Sequence, residues 1–161
     1  MEIRLVGSKE GEWFDKFSKS NIKGKLYDFE IKDALNKMWR ITVEIAADGS
    51  KAIAWAPVSE GTDFISEQLK RKSIVFNPTR DNKEFYHIIS PAYTTENRIK
   101  KKMLEDPNEI PEELKQFKIG RFQEVTDKKK FENKLVVIVD KNDPESIAKI
   151  FYFEKINLLI K

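Results

Sequence analysis

The stretch that most restricts the fold is MWRITVEIAADGSKAIAWAPV, residues 38–58. Polar and apolar residues alternate on both sides of Asp48-Gly49, and that dipeptide is a strong signal for a β-hairpin closed by a type I′ turn. The turn sets the register: Ala47 opposite Ser50, Ile45 opposite Ala52, Val43 opposite Ala54 and Ile41 opposite Ala56. One face then carries Trp39, Ile41, Val43 and Ile45 against alanines, and the small side chains leave room for another element to pack closely. The other face carries Arg40, Thr42 and Glu44 beside Ile53 and Trp55, with Thr42 opposite Trp55 and Arg40 on the diagonal.

The rest of the chain is consistent with a sheet-rich α+β domain. MEIRLV reads as a short strand. SKEGEWFDKFSKSN places Trp13, Phe14 and Phe17 at helical spacing, with Ser8 as N-cap, and predicts a short helix. In KLYDFEIK, Tyr27, Phe29 and Ile31 face one way and Asp28, Glu30 and Lys32 the other, the pattern of a strand. EGTDFISEQLKRK predicts a helix with Lys70, Arg71 and Lys72 at its negative C-terminal end. SIVFNPTRDNKEFYHIIS predicts two strands around a polar turn, Pro78 to Lys83. TTENRIKKKMLED predicts another helix, a short helix is expected around Leu114 and Phe117, and GRFQEVTD is a weak strand. The apolar run KLVVIVDK predicts a central buried strand. NDP is a turn, and AKIFYFEKINLLI, rich in aromatic and β-branched residues, predicts a long or bent strand. The expected architecture is α+β, with a mostly antiparallel, barrel-like sheet and two or three short flanking helices. Residues 1–161 are expected to form one domain. An ending one residue after an apolar run suits either a domain excised from a longer protein or a closing barrel strand.

Composition narrows the chemistry. The chain has no cysteine and one histidine, so thiolate and histidine-rich metal sites are excluded, and no cofactor is expected. No apolar run approaches the roughly 20 residues of a membrane span, and the N-terminus lacks a signal-peptide pattern, which points to a soluble, cytoplasmic protein without a membrane partner. The net charge of +3 permits nucleic-acid binding without demanding it. Neither a glycine-rich phosphate loop nor a G-x-S-x-G elbow is present.

Four constellations carry candidate chemistry. Arg98, Lys100, Lys101 and Lys102 can neutralise phosphates, although acidic residues balance basic ones between residues 94 and 118, as on a solvated face. Trp55 with Arg40 can stack on a base, unless a helix covers that face. Asp28, Glu30 and Lys32 match the strand signature of PD-(D/E)xK nucleases, with Asp15 as the nearest further carboxylate; a polar outer strand face explains the same pattern. DKKKFENK is either a phosphate-facing loop or a solvated turn before the strand at 135–139. His87, inside FYHII, is expected to be packed or hydrogen-bonded rather than catalytic.

The stretches WRITVEIAADGSKAIAWAPVSEGTDFISEQL, KLVVIVDK and IFYFEKINLLI loosely resemble the pseudobarrel DNA-recognition domains found in plant transcription factors and some restriction enzymes. The resemblance covers roughly half the chain and carries no base-contacting motif residue by residue. It departs from that family in a long charged insert, residues 94–133. It implies sequence-specific binding of double-stranded DNA, as the site-reading part of a restriction system with further domains or subunits. The expectation is therefore a non-catalytic DNA-recognition domain. Lys70, Arg71, Lys72, Arg98 and Lys100 to Lys102 would contact phosphate, Arg40, Arg80 and Lys83 would reach base edges, and Trp55 would stack. The alternatives are a Mg²⁺-dependent nuclease of the PD-(D/E)xK type and a protein-interaction or phage accessory domain.

Overall fold

In the computed structural model the chain is described over residues 1–15, 19–56, 73–90 and 103–156. The helix expected over 60–72 lies outside these residues, as does most of the one expected over 94–106, whose last four residues, 103–106, are described and are not helical. The described chain is built on eight antiparallel strands: β1 (Glu2–Asp15), β2 (Ser20–Lys32), β3 (Met38–Ala46), β4 (Ala52–Trp55), β5 (Ser73–Pro78), β6 (Glu84–Ile88), β7 (Lys118–Arg121) and β8 (Leu135–Asp140). Their order across the sheet is β1-β2-β3-β4-β5-β6-β8-β7. The sheet is open, with β1 and β7 at its edges, and does not close into a barrel.

The central hairpin has the expected register, with Thr42 opposite Trp55, Val43 opposite Ala54 and Ile45 opposite Ala52. Its turn differs from expectation. Only Gly49 has a positive φ, of 71°. The Gly49 N–H donates to the Ala46 carbonyl at 2.9 Å and the Ala46 N–H to the Lys51 carbonyl at 3.1 Å. The connection is therefore a wider loop, Ala47 to Ser50, rather than a two-residue type I′ turn, which needs positive φ at both central residues.

Residues 8–15 form a strand, not a helix capped by Ser8. They extend β1 into a long ribbon with β2, paired from Glu2–Lys32 to Asp15–Ser20. Helical spacing of Trp13 and Phe14 lost to the pairing offered by β2, because an extended backbone beside a strand satisfies its hydrogen bonds there. Trp13 lies across Gly24, where a Cβ would fall 2.8 Å from the indole ring.

The larger correction is at the C-terminus. Residues 144–156 form no strand. They are helix α2 (Pro144–Phe151), continued by a π turn over Tyr152–Ile156; α1 is the single turn Phe122–Val125 after β7. Asp143 caps α2, its carboxylate accepting from the Ser146 N–H at 3.1 Å, and Pro144 occupies the first turn. The fully buried face Ile147, Ala148, Ile150 and Phe151 packs on β3 and β4. The row Ala52, Ala54 and Ala56 belongs to the same core, so the helix occupies the space the alanines leave. One of the two closing strands in the pseudobarrel resemblance is thus a helix. The charged insert contributes short 3₁₀ turns at Pro107–Glu109 and Glu112–Leu114. As expected, β8 is buried throughout its apolar run, between β6 and β7. A second, smaller core of Tyr86, Phe122, Val125, Val136 and Ile138 lies on its other face.

Candidate functional site

Four of the sequence-derived site residues fall within the described chain, and they form two separate groups. Arg40 is exposed on the outer face of β3, opposite Glu30. Its guanidinium makes no ion pair among the described residues. Trp55 is half-buried on the same face, and its indole N–H donates to Glu44 Oε1 at 3.2 Å. Arg80 and Lys83 sit in the β5–β6 turn. Ser73 is level with Trp55, and Arg80 follows seven residues later, on the order of 20 Å away at the strand rise of roughly 3.3 Å per residue. Arg80 is itself engaged, 3.5 Å from Asp127 and hydrogen-bonded to the Glu124 carbonyl at 3.3 Å. Lys70, Arg71, Lys72, Arg98, Lys100, Lys101 and Lys102 lie outside the described residues.

The outer face near Arg40 interleaves both signs. Arg4 holds Glu30 at 2.6 Å, and Asp28 accepts from the Thr42 hydroxyl at 2.8 Å. These carboxylates are tied down within the sheet, and among the described residues no three acidic or imidazole groups converge as cation ligands. Asp15 is level with Ser20 at the far end of the ribbon, remote from Asp28. Among the described residues Asp15 and Asp28 therefore do not converge.

A different site forms where β5 and β6 separate. These strands pair only at Asn77–Tyr86 and Pro78–Phe85. Below that point they enclose a cleft of about 280 Å³. Its described lining includes the polar residues Asn77, His87 and Ser90 and the aromatic residues Tyr86, Phe122 and Phe131. Lys128 and Lys130 stand at its margin, and no carboxylate lines it among the described residues. A larger groove of about 810 Å³ runs along the β1–β2 ribbon, and it interleaves Glu10 and Glu12 with Lys23, Lys25 and Lys141.

The His87 imidazole is held on the Phe76 side of the sheet. His87 Nε2 lies 2.7 Å from Glu154 Oε2, and the ring is 5.4 Å from that of Phe76, centroid to centroid. The Glu154 side chain is 0% exposed and that of His87 18%. Burial pushes the Glu154 carboxyl up. The charge and hydrogen bond of His87, the charge of Lys155 and the Ser90 N–H outweigh it and hold the carboxyl below the usual range. An ionised carboxylate can only accept, so Glu154 takes the hydrogen bond from His87 Nε2. Among the described residues the Ser90 hydroxyl has no hydrogen-bond partner.

The loop at the margin is also unusual. Most basic residues around it are neutralised: Lys134 by Glu105 at 2.6 Å, Lys118 by Glu84 at 3.4 Å and Arg80 by Asp127. Lys128, Lys129 and Lys130 are exposed and make no ion pair among the described residues. Phe131 has φ 67°, a left-handed conformation for a bulky residue. It stands edge-on to Phe122, 5.6 Å between centroids, and remains 37% exposed.

Sequence reasoning names the lysine tract as one of two readings and places His87 in a strand. It misses Asn77, Ser90 and Glu154, which only the fold brings near them. The one local signal is the polarity of Glu154 within an apolar segment. No protein-family model matches the chain, and no curated protein or solved structure matches it either. No helix among the described residues is long and apolar enough to cross a membrane.

Proposed function

We propose that this is a non-catalytic nucleic-acid-recognition domain that engages DNA through the β5–β6 cleft and the lysine loop beside it. The observation that carries the reading is a concave, partly aromatic site whose described lining holds Asn77, His87, Ser90, Lys128 and Lys130 without a carboxylate. Nearby, Arg80, Lys118 and Lys134 are paired with acids. Lysines without an ion-pair partner take up phosphate and release counterions, which supplies affinity, while polar groups in a pocket supply selectivity.

The test is electrophoretic mobility of a short DNA duplex over a range of salt. Binding should be strongest at low ionic strength. Replacing Lys128, Lys129 and Lys130 together by alanine should reduce the slope of log affinity against log salt by about 3, close to one for each phosphate no longer neutralised. Added Mg²⁺ should leave the DNA intact. Absence of a shift at low salt, or a triple variant with unchanged affinity and slope, refutes the reading.

A further inference from the structure

The lysine loop is fastened from behind by side chains outside the lysine tract. Arg121, the last residue of β7, extends one guanidinium nitrogen to two backbone carbonyls, that of Glu105 at 2.7 Å and that of Asn133 at 2.8 Å. The Glu105 carboxylate is taken instead by Lys134, at 2.6 Å. Gln123, in the single turn α1, accepts from the Asn133 N–H at 2.9 Å, and the Lys134 N–H donates to the Phe131 carbonyl at 3.2 Å. Phe131 and Asn133 have φ of 67° and 65°. A backbone with two left-handed residues other than glycine keeps that shape only where its surroundings fix it. Arg121 and Gln123 supply that fixing, and both act at Asn133, close behind the three lysines.

We infer that Arg121 is a positioning residue for phosphate binding. With Gln123 as a neutral second fastening, it holds Lys128, Lys129 and Lys130 ready for the DNA backbone and does not itself neutralise a phosphate. The inference rests on the nucleic-acid reading and adds to it the device that orders the binding loop. A loop ordered beforehand loses less freedom on binding than one that its ligand must order. Lysine in place of Arg121 keeps the charge, but its ammonium ends one bond short of the nitrogen that bridges the two carbonyls. Loosening the loop should therefore weaken DNA binding without changing the number of phosphates neutralised. The two effects separate: affinity at fixed salt reports the ordering, and the slope of log affinity against log salt reports the phosphates.

The experiment measures wild type, Arg121→Lys and Gln123→Ala by fluorescence anisotropy with a labelled DNA duplex over a range of salt, and by amide hydrogen exchange. Circular dichroism checks that each variant is folded. Both variants should bind about tenfold more weakly than wild type with the salt slope unchanged, unlike the triple lysine variant, whose slope falls. The Asn133 and Lys134 amides should exchange faster in both, while those of β8 keep their protection. Binding like wild type by either variant overturns the inference and leaves the nucleic-acid reading standing. A slope lowered by about one in either does the same, because a phosphate contact would then have been lost. Faster exchange throughout β8 also overturns it, since the fold as a whole and not the loop would have loosened. No binding of the duplex by wild type at low salt removes both the inference and the reading beneath it.

Discussion

Replacing His87 by leucine tests how the cleft is held. Leucine preserves an apolar side chain beside Phe76 but removes the hydrogen bond to Glu154, whose side chain has no solvent exposure. Breaking a buried pair by deleting one partner costs about 3–5 kcal/mol, because the remaining charge is stranded. The Ser90 N–H, at 3.4 Å, and the charge of Lys155 still face Glu154, so the lower end, about 3 kcal/mol, applies here. In urea, with a slope of about 2 kcal/mol per molar for a domain of this size, the unfolding midpoint should fall by about 1.5 M at pH 7 with the slope unchanged. The same substitution in a Glu154→Gln background, where no charge is stranded, should cost at least about 1.5 kcal/mol less. The pH dependence has a definite sign. The folded carboxyl of Glu154 is held below its ordinary value, so its contribution is present above the unfolded value of about 4.3 and is lost as pH falls through the folded one. The gap between wild type and His87→Leu should therefore close as pH drops below about 4. A cost under about 1 kcal/mol at pH 7, or strict additivity with Glu154→Gln, would refute the claim that His87 keeps Glu154 ionised.

Three further perturbations address the frame around the site. Asp33→Ala orphans the buried Trp39 indole N–H, bonded at 2.9 Å, and frees the Leu35 and Lys37 amides of the β2–β3 turn. A loss of about 1–3 kcal/mol is expected by urea denaturation. Burial raises the Asp33 carboxyl, but the Trp39 bond, the two amides and the Lys37 charge together lower it, so the loss should be full at neutral pH and fade below about pH 4. Asp143→Ala removes the cap of α2, and thermal unfolding should show a loss of about 1 kcal/mol that Asp143→Ser or Asp143→Asn largely avoids. Gly24→Ala would place a methyl group into the Ile45 carbonyl oxygen and 2.8 Å from the Trp13 ring. It should cost more than about 2 kcal/mol, whereas the same change at Gly7, with open space around it, should be nearly silent.

The elements legible in the sequence are those whose signals are local. Alternation around Asp48-Gly49 specifies the β3–β4 register, because a one-residue slip would turn every side chain to the opposite face. The unbroken apolar run 135–139 marks a strand buried on both faces. Even the partner of the alanine row is foreseeable as a space to be filled, though not its identity. The segment that fills it has the aromatic and β-branched content of a strand. Its start, Asp143-Pro144-Glu145, carries a helix N-terminus signature with more weight than that composition. Residues 8–15 mislead for the opposite reason: their spacing is helical, and a strand thirteen residues long beside them decides otherwise.

By itself, then, the amino-acid order determined the periodicities, the turn positions and the absence of thiolate chemistry, all of which depend on composition or on neighbours a few residues apart. Only the tertiary structure decided that Asn77, His87, Ser90 and the loop at 128–131 share one cleft, that Glu154 reaches up beneath it from the C-terminal helical segment, and that Arg40 and Arg80 stand far apart. The physical reason is that these groups meet where β5 and β6 part after two paired residues. That parting is set by how the whole sheet packs around its cores and has no signature in either strand alone.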